Sequence, residues 1–393
     1  MLLQRKPYQE GVDKMGRYSV LWSLTKHKMM MECETKYVLN YYFAKRGEYE
    51  TKPPLLQLAW RLKNMTNVYL LIGNQIHQEI ESEIRTLFET GEFLNASKIK
   101  KALYKNIEGI YKKAERGFER WYKDPTANSM LFEIYYDSSR LKEEVKQFIR
   151  RKVDTCVDGF INSFTLNEKI YSGKLKIMES EKYRSFMLDG IKVNLSADLI
   201  YFDTDCNEWG IVDWKSGKES AFDPIQLSIY GMYAESTYGA NINDLIVTNE
   251  YLEDGKNKSY KVDSSGFKEV KTLIKQSADR IMKLEENISV SEEDVMDAFP
   301  KAQNQKVCER CNFKAICLEN YRDKHINHFL EGVGKNGRNK EVEMVEIELM
   351  RELVSNGMPV DHEVEVFLEE SPYETEESHT YKVERFSEYL SRF

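Results

Sequence analysis

The sequence has no apolar run that approaches the length needed to span a bilayer, and its amino terminus, MLLQRKPYQE, lacks the apolar core of a secretory signal. Both absences predict a soluble, cytoplasmic protein without membrane partners. Thiols stay reduced in that compartment, so the six cysteines need not pair as disulfides. Only Cys308, Cys311 and Cys317 cluster, and no second close pair exists to complete a zinc site built from two pairs. Net positive charge, the usual footprint of phosphate contact, is missing as well, because the formal charge is −8. Its distribution changes that reading. Residues 341–393 carry fifteen acidic and four basic residues, a balance of −11, which leaves +3 for residues 1–340. At 393 residues the chain is long enough for a sizeable core and two or more substructures.

The stretch that organises the rest is Gly210-Ile211-Val212-Asp213-Trp214-Lys215-Ser216-Gly217-Lys218. Its apolar start and glycine end read as a strand, and alternation puts Asp213 and Lys215 on one face and Trp214 on the other. A carboxylate beside an ammonium suits a site where the acid holds a divalent cation and the lysine steadies developing charge. Alone the triplet is weak, since such pairs usually sit exposed on a surface. Upstream, the run Val193–Phe202 also reads as a strand and contains Asp198. The turn-rich link Asp203–Glu208 pairs the two as a hairpin, bringing Asp198 beside Asp213. Two close carboxylates repel unless a cation lies between them. After a turn through Asp223-Pro224, a helical pattern from Gln226 to about Tyr238 sets Gln226 and Tyr230 on one face.

Asp198, Asp213-Trp214-Lys215 and Gln226-x-x-x-Tyr230, in this order, resemble the PD-(D/E)xK nuclease superfamily and, within it, the RecB-type nucleases. The resemblance implies an α/β, restriction-endonuclease-like mixed sheet flanked by helices. It also implies that the two acids bind Mg²⁺ or Mn²⁺, that Lys215 assists the attacking water, and that Gln226 and Tyr230 contact substrate. Where the family often has glycine three residues before the first acid, this chain has Leu195. Gly73-x-x-x-His77, on an amphipathic helix from Leu70 to Leu87, resembles the RecB-type histidine motif, whose imidazole completes the metal site. A lone helical histidine is otherwise more often surface or core filler.

Between the histidine and the first acid, residues 96–165 read as helical and free of motifs. Lys98, Lys100, Lys101, Lys105, Lys112, Lys113, Arg116, Arg120 and Lys123 interleave with Tyr104, Ile107, Tyr111, Phe118 and Trp121. The aromatics fall at core spacing and the lysines form either a solvated face or, as helical insertions do in this family, a wall of the substrate channel. Lys174–Glu179 opens the sheet, and Glu179 is either a further acid near the site or a solvent-facing strand residue. Another strand falls within Asn243–Leu252, and another helix spans Phe267 to about Glu286.

Cys308-x-x-Cys311-x5-Cys317 in a reduced compartment argues for a metal site. An iron–sulfur cluster tolerates a distant fourth thiolate, and Cys33 is available. Taken alone, Cys33 on a helix from Lys26 to about Tyr42 is a buried core thiol. Its context, Cys33-Glu34-Thr35-Lys36-Tyr37, resembles the amino-terminal cysteine helix of iron–sulfur RecB-type nucleases such as the AddB nuclease domain and the CRISPR-associated single-strand exonucleases. That resemblance implies a structural 4Fe–4S cluster on Cys33, Cys308, Cys311 and Cys317, with Cys156 and Cys206 outside it.

These readings predict a nuclease domain over residues 1–320 with a helical insertion at 90–170, a glycine-rich linker at 321–340 and an acidic carboxy-terminal appendage at 341–393. The expected function is metal-dependent hydrolysis of DNA phosphodiester bonds, as an exonuclease on ends or single strands, in repair and recombination or in defence against mobile elements. One alternative is a subunit active only with a helicase or integrase partner, which the acidic tail would dock. Another is a non-catalytic iron–sulfur DNA-binding scaffold, against which the full acid–acid–lysine set argues.

Overall fold

A computed structural model describes residues 20–47, 54–180, 182–261, 264–290 and 298–318. The expected linker at 321–340 and the appendage at 341–393 lie outside the described residues. The described chain divides into two compact units, the first holding the residues up to Lys28, Val68–Gly109 and Lys142–Glu285. Met29–Asn67, Ile110–Leu141 and the described residues after Glu285 form the second. No helix of the described residues is long and apolar enough to cross a membrane.

All eight strands of the described residues belong to the first unit: β1 (Leu21–Ser23), β2 (Leu175–Ser180), β3 (Tyr183–Leu188), β4 (Ile191–Ser196), β5 (Leu199–Asp203), β6 (Glu208–Lys215), β7 (Leu245–Tyr251) and β8 (Lys256–Lys261). They form two mixed sheets, β1-β4-β3 and β2-β5-β6-β7-β8, flanked by helices in the manner of restriction-endonuclease-like folds. The centre of the larger sheet is apolar on both faces. Ile211, Val212, Trp214, Leu245 and Val247 are all buried there. β5 and β6 pair antiparallel, whereas β6 and β7 pair parallel through a crossover that contains the Asp223–Tyr238 helix. That helix starts at Asp223 with Pro224 in its first turn, a position where the missing N–H costs nothing, so the turn expected there is the helix start itself.

Two continuous apolar stretches of the sequence are interrupted in space. Val193–Phe202 is not one strand: β4 ends at Ser196, and β5 starts in the other sheet at Leu199. The chain changes sheets at Ala197-Asp198, where the Asp198 side chain replaces a ladder acceptor, as described below. The helix expected over Lys26–Tyr42 is likewise two, Leu24–Glu32 and Glu34–Val38. Between them Cys33 is extended, and its sulfur accepts the backbone N–H of Lys36, capping the second helix. β8, with the sequence KNKSYK, pairs antiparallel with β7 and was not foreseen, because alternating lysines carry no apolar signal.

The insertion is helical, as expected, with long helices at Ala96–Arg116 and Glu143–Ile161. Ile107, Tyr111 and Trp121 are core residues, consistent with their spacing. Two of its lysines are committed to ion pairs: Lys98 to Glu83 at 3.8 Å, and Lys100 to Asp158 at 2.7 Å and Asp154 at 3.6 Å. Gly159 lets the Glu143–Ile161 helix close on the end of β7, since a Cβ there would stand 1.9 Å from the Leu252 carbonyl oxygen.

In the second unit, Arg61 is buried, with Nε donating to the Tyr122 carbonyl at 2.7 Å and its guanidinium 3.9 Å from the Tyr122 ring centroid. Trp121 meets Tyr135 edge-on at 5.4 Å. Asn312 donates to the carbonyls of Leu62 and Met65 at 3.1 and 2.7 Å, pinning the cysteine-bearing turn to that core.

Glu179 resolves into a structural role. It lies at a bulge of β2, buried, with its carboxylate held by Arg184 of β3 through two bonds of 2.8 and 3.0 Å. The hydroxyls of Tyr233 and Tyr238 donate to it at 3.1 and 2.9 Å. The cluster thus ties one sheet to the other and to the crossover helix. Burial works to raise the Glu179 pKa, but the bonds from Arg184, Tyr238 and Tyr233 outweigh it and hold the carboxyl below its ordinary value. A depressed folded-state pKa contributes stability above the unfolded carboxylate value, which is lost as pH falls through the folded value. Glu179→Gln should therefore lower unfolding stability by about 1–3 kcal/mol at neutral pH. Denaturant titration across a pH series should show that deficit shrinking as the wild-type carboxylate protonates.

Candidate active site

The carboxylates stand at the end of the β5–β6 hairpin. Leu199 registers opposite Val212, so Asp198 arrives one step beyond, level with the end of β6. Its Oδ2 accepts the backbone N–H of Trp214 at 2.7 Å, and both Asp198 and Asp213 are buried. On the opposite face, Trp214 donates through Nε1 to Glu250 at 2.8 Å and sets its ring edge-on to Phe160 at 5.5 Å. Anchoring Trp214 on that face holds Asp213 and Lys215 on the other, as alternation requires.

Lys215 Nζ lies 2.6 Å from Asp213 Oδ2 and 3.8 Å from Asp223 Oδ1. Burial opposes its ammonium, but Asp213, then Asp223 and Asp198, more than offset it and hold the lysine above its ordinary pKa. Burial pushes the Asp213 carboxyl upward, while Lys215 and His77 pull it the other way. Lys215 also donates to Gln226 Oε1 at 2.7 Å. The Gln226 amide donates to Tyr230 Oη at 2.6 Å, and Tyr230 in turn donates to the Ser196 carbonyl at 2.6 Å. Gln226 and Tyr230 are thus linked across one helical turn, and the chain of bonds runs from the lysine back to the strand end before Asp198. Tyr230 is buried.

His77 sits on the Val68–Thr90 helix, its Nδ1 3.3 Å from Asp198 Oδ2. Gly73, one turn earlier, brings that helix to the end of β6, because a Cβ there would lie 3.3 Å from Ser216 Oγ. Two residues escaped the sequence reading. Asn249, wholly buried on β7, registers beside Asp213 in the parallel ladder and donates to its Oδ2 at 2.9 Å. Asp223 accepts from the Ser220 N–H at 2.8 Å and the Tyr251 hydroxyl at 2.9 Å. Only the pairing of β6 with β7, invisible in a single sequence, could have picked out Asn249.

As packed, no three or more His, Cys, Asp or Glu side chains among the described residues are arranged to hold a metal ion. Asp213 is engaged by Lys215 and Asn249, and Asp198 by a backbone amide. The donor set nonetheless fits a hard divalent cation: two buried carboxylates, one raised in pKa by lack of solvent, with an imidazole beside them. Beside Asp213, the Asn249 Oδ1 atom is buried and has no hydrogen-bond partner among the described residues.

The cysteines gather in the second unit. Cys308 and Cys311 share a tight turn closed by the Cys311 N–H on the Cys308 carbonyl at 3.1 Å, and Cys317 ends the short Lys314–Cys317 helix. Burial, with added repulsion from Cys33 and Cys308, pushes the Cys311 thiol up to about 11. Burial, then Cys311, Cys33 and Cys308, takes Cys317 to about 12. Cys308 is raised by burial and by Cys33. Each of the three therefore senses Cys33, across a separation of more than 270 residues in sequence. Cys156 is buried in the other unit and Cys206 is exposed.

No curated protein matches the sequence. The PD-(D/E)XK nuclease superfamily does, over residues 21–318, a span that begins at β1, includes both acids, Lys215 and the Gln226–Tyr230 helix, and ends just after Cys317. With three quarters of its length matched, the chain belongs to the PD-(D/E)XK nuclease superfamily.

Proposed function

We propose that the protein is a metal-dependent deoxyribonuclease that hydrolyses phosphodiester bonds at DNA ends or in single strands. The observation that carries this reading is the buried Asp213–Lys215 pair with Asp198 turned onto the backbone between them. Such a pair costs several kcal/mol in desolvation, and a fold that needed only stability would do as well with apolar residues. Asp198, Asp213 and His77 would hold Mg²⁺ or Mn²⁺, which when bound supplies Lewis acidity at a phosphoryl oxygen and lowers the pKa of a coordinated water.

The remaining work falls to the chain. Lys215 presents N–H donors to the attacking water and to the charge that develops on the phosphoryl oxygens. Gln226 fixes the direction of that ammonium, and Tyr230 fixes Gln226, so both act first as positioning residues. Contact of Gln226 with substrate fits the same placement, since its amide lies beside the lysine. Asn249 holds the Asp213 carboxylate in the plane set by the β6–β7 ladder.

Cys33, Cys308, Cys311 and Cys317 would bind a structural 4Fe–4S cluster. What supports this is the spacing Cys308-x-x-Cys311-x5-Cys317, the placement of Cys33 in the same unit, and the tolerance of such a cluster for one ligand distant in sequence. Hydrolysis requires no electron transfer, so the cluster's role is to close the chain from Cys33 to Cys317. A role in DNA repair, recombination or defence against mobile elements accords with an enzyme that acts on ends or single strands.

Asp213→Asn and Lys215→Ala should each lower cleavage of end-labelled DNA by about 10²–10³-fold or more, read at a temperature where both variants stay folded, and each should lower the thermal midpoint because it leaves its partner's charge uncompensated. Cleavage at the wild-type rate by both variants would remove this site from the chemistry. For the cysteines, protein purified without oxygen should contain iron and acid-labile sulfide. Cys33→Ser and Cys311→Ser should lose iron to the same extent. Stoichiometric zinc without sulfide, or full iron retention in the Cys33 variant, would contradict the cluster.

A further inference from the structure

Among the described residues, a second lysine near the site has no ion pair of its own. Lys28, half-buried on the Leu24–Glu32 helix, places Nζ 4.7 Å from the centroid of the Phe222 ring. Phe222 immediately precedes Asp223, whose Oδ1 is 3.8 Å from Lys215 Nζ. The Phe222 ring is also met by His27, edge-on at 6.2 Å, and His27 is fixed by Ser277 Oγ at 2.8 Å. Lys28 is therefore held by a cation–π contact, which anchors an ammonium without neutralising it. Among the described residues, no carboxylate lies within ion-pair distance of it.

Keeping a partly desolvated ammonium close to another one is unfavourable unless an anion arrives. Burial and Lys215 both lower the Lys28 pKa, and Asp223 and Asp213 work against them, which places all four groups in one electrostatic neighbourhood. Charge balance points the same way. Three carboxylates, Asp198, Asp213 and Asp223, face two ammoniums, Lys28 and Lys215, with His77 beside them. One divalent cation would turn a balance of about −1 into about +1, and one phosphodiester would cancel that. Asp213 has Lys215 as its immediate partner, so Lys28 is the positive charge left over.

We propose that Lys28 contacts the phosphodiester backbone of the bound strand, making it a substrate-binding residue of the same site. The proposal rests on the nuclease reading above. Phe222 sets the direction of the ammonium, and the Leu24–Glu32 helix supplies the only substrate contact so far assigned from outside the β5–β6 hairpin and the helix that follows it.

The test uses the full-length protein and a short end-labelled single-stranded deoxyoligonucleotide, with binding measured in Ca²⁺, a hard cation for the carboxylates, over times too short for cleavage and between about 50 and 200 mM salt. Lys28→Met keeps the stem over Phe222 and removes the charge. It should weaken binding about fivefold at 0.1 M salt and reduce the slope of log K against log salt by about 0.7, the share of one phosphate contact to a single strand. Lys28→Arg should restore both, and the thermal midpoints of both variants should stay near wild type. A purely structural lysine would move the midpoint and leave the salt slope unchanged. If wild-type protein cleaves DNA with metal but Lys28→Met keeps the wild-type affinity and slope, this assignment is overturned and the nuclease reading stands. If wild-type protein neither binds nor cleaves DNA, both fall together.

Discussion

The site depends on one electrostatic constraint: a carboxylate and an ammonium 2.6 Å apart, both largely removed from water, at the carboxyl end of a central strand. Neither charge is stable there alone, because burial raises the one and lowers the other. Each neighbour can be understood as meeting that demand. Gln226 accepts a hydrogen bond from the ammonium, Asn249 donates to the carboxylate, and Asp198 accepts the peptide N–H between the two. The parallel β6–β7 pair supplies Asn249, and the crossover helix supplies Gln226 and Asp223. The topology that makes the sheet therefore also assembles the site.

Two kinds of group are gathered here: Asp198, Asp213 and His77 suit a hard cation, and Lys215 and Lys28 suit a phosphate. Glu179, which on sequence grounds stood as either a further acid near the site or a surface residue, is instead consumed by Arg184 and two tyrosines, where it joins the sheets. Acidic residues of similar burial are thus separated by their partners. Those with saturated hydrogen bonds are structural, and those left facing a lysine or an imidazole define the site.

Much of this was legible in the sequence because it follows short periods. The period of two along β6 places Asp213 and Lys215 together, the short turn-rich link pairs β5 with β6, and four residues separate Gln226 from Tyr230 on a helix. What was not legible depends on partners distant in the chain. Nothing in the apolar run Val193–Phe202 announces that the strand leaves one sheet at Ser196 and enters another at Leu199. Asn249 matters only through its register with Asp213, and Lys28 only through a ring almost two hundred residues away. Cys33 reads as mid-helix by local pattern, whereas in space it breaks the helix and caps the next one.

The central claim is that this cluster hydrolyses DNA with a divalent cation. The most direct measurement incubates wild-type protein with end-labelled single- and double-stranded DNA in Mg²⁺, in Mn²⁺ or in chelator, and sizes the products on a gel. Shortened products should form only where a divalent ion is present. DNA left intact under every ion, or shortened equally in chelator, would contradict it.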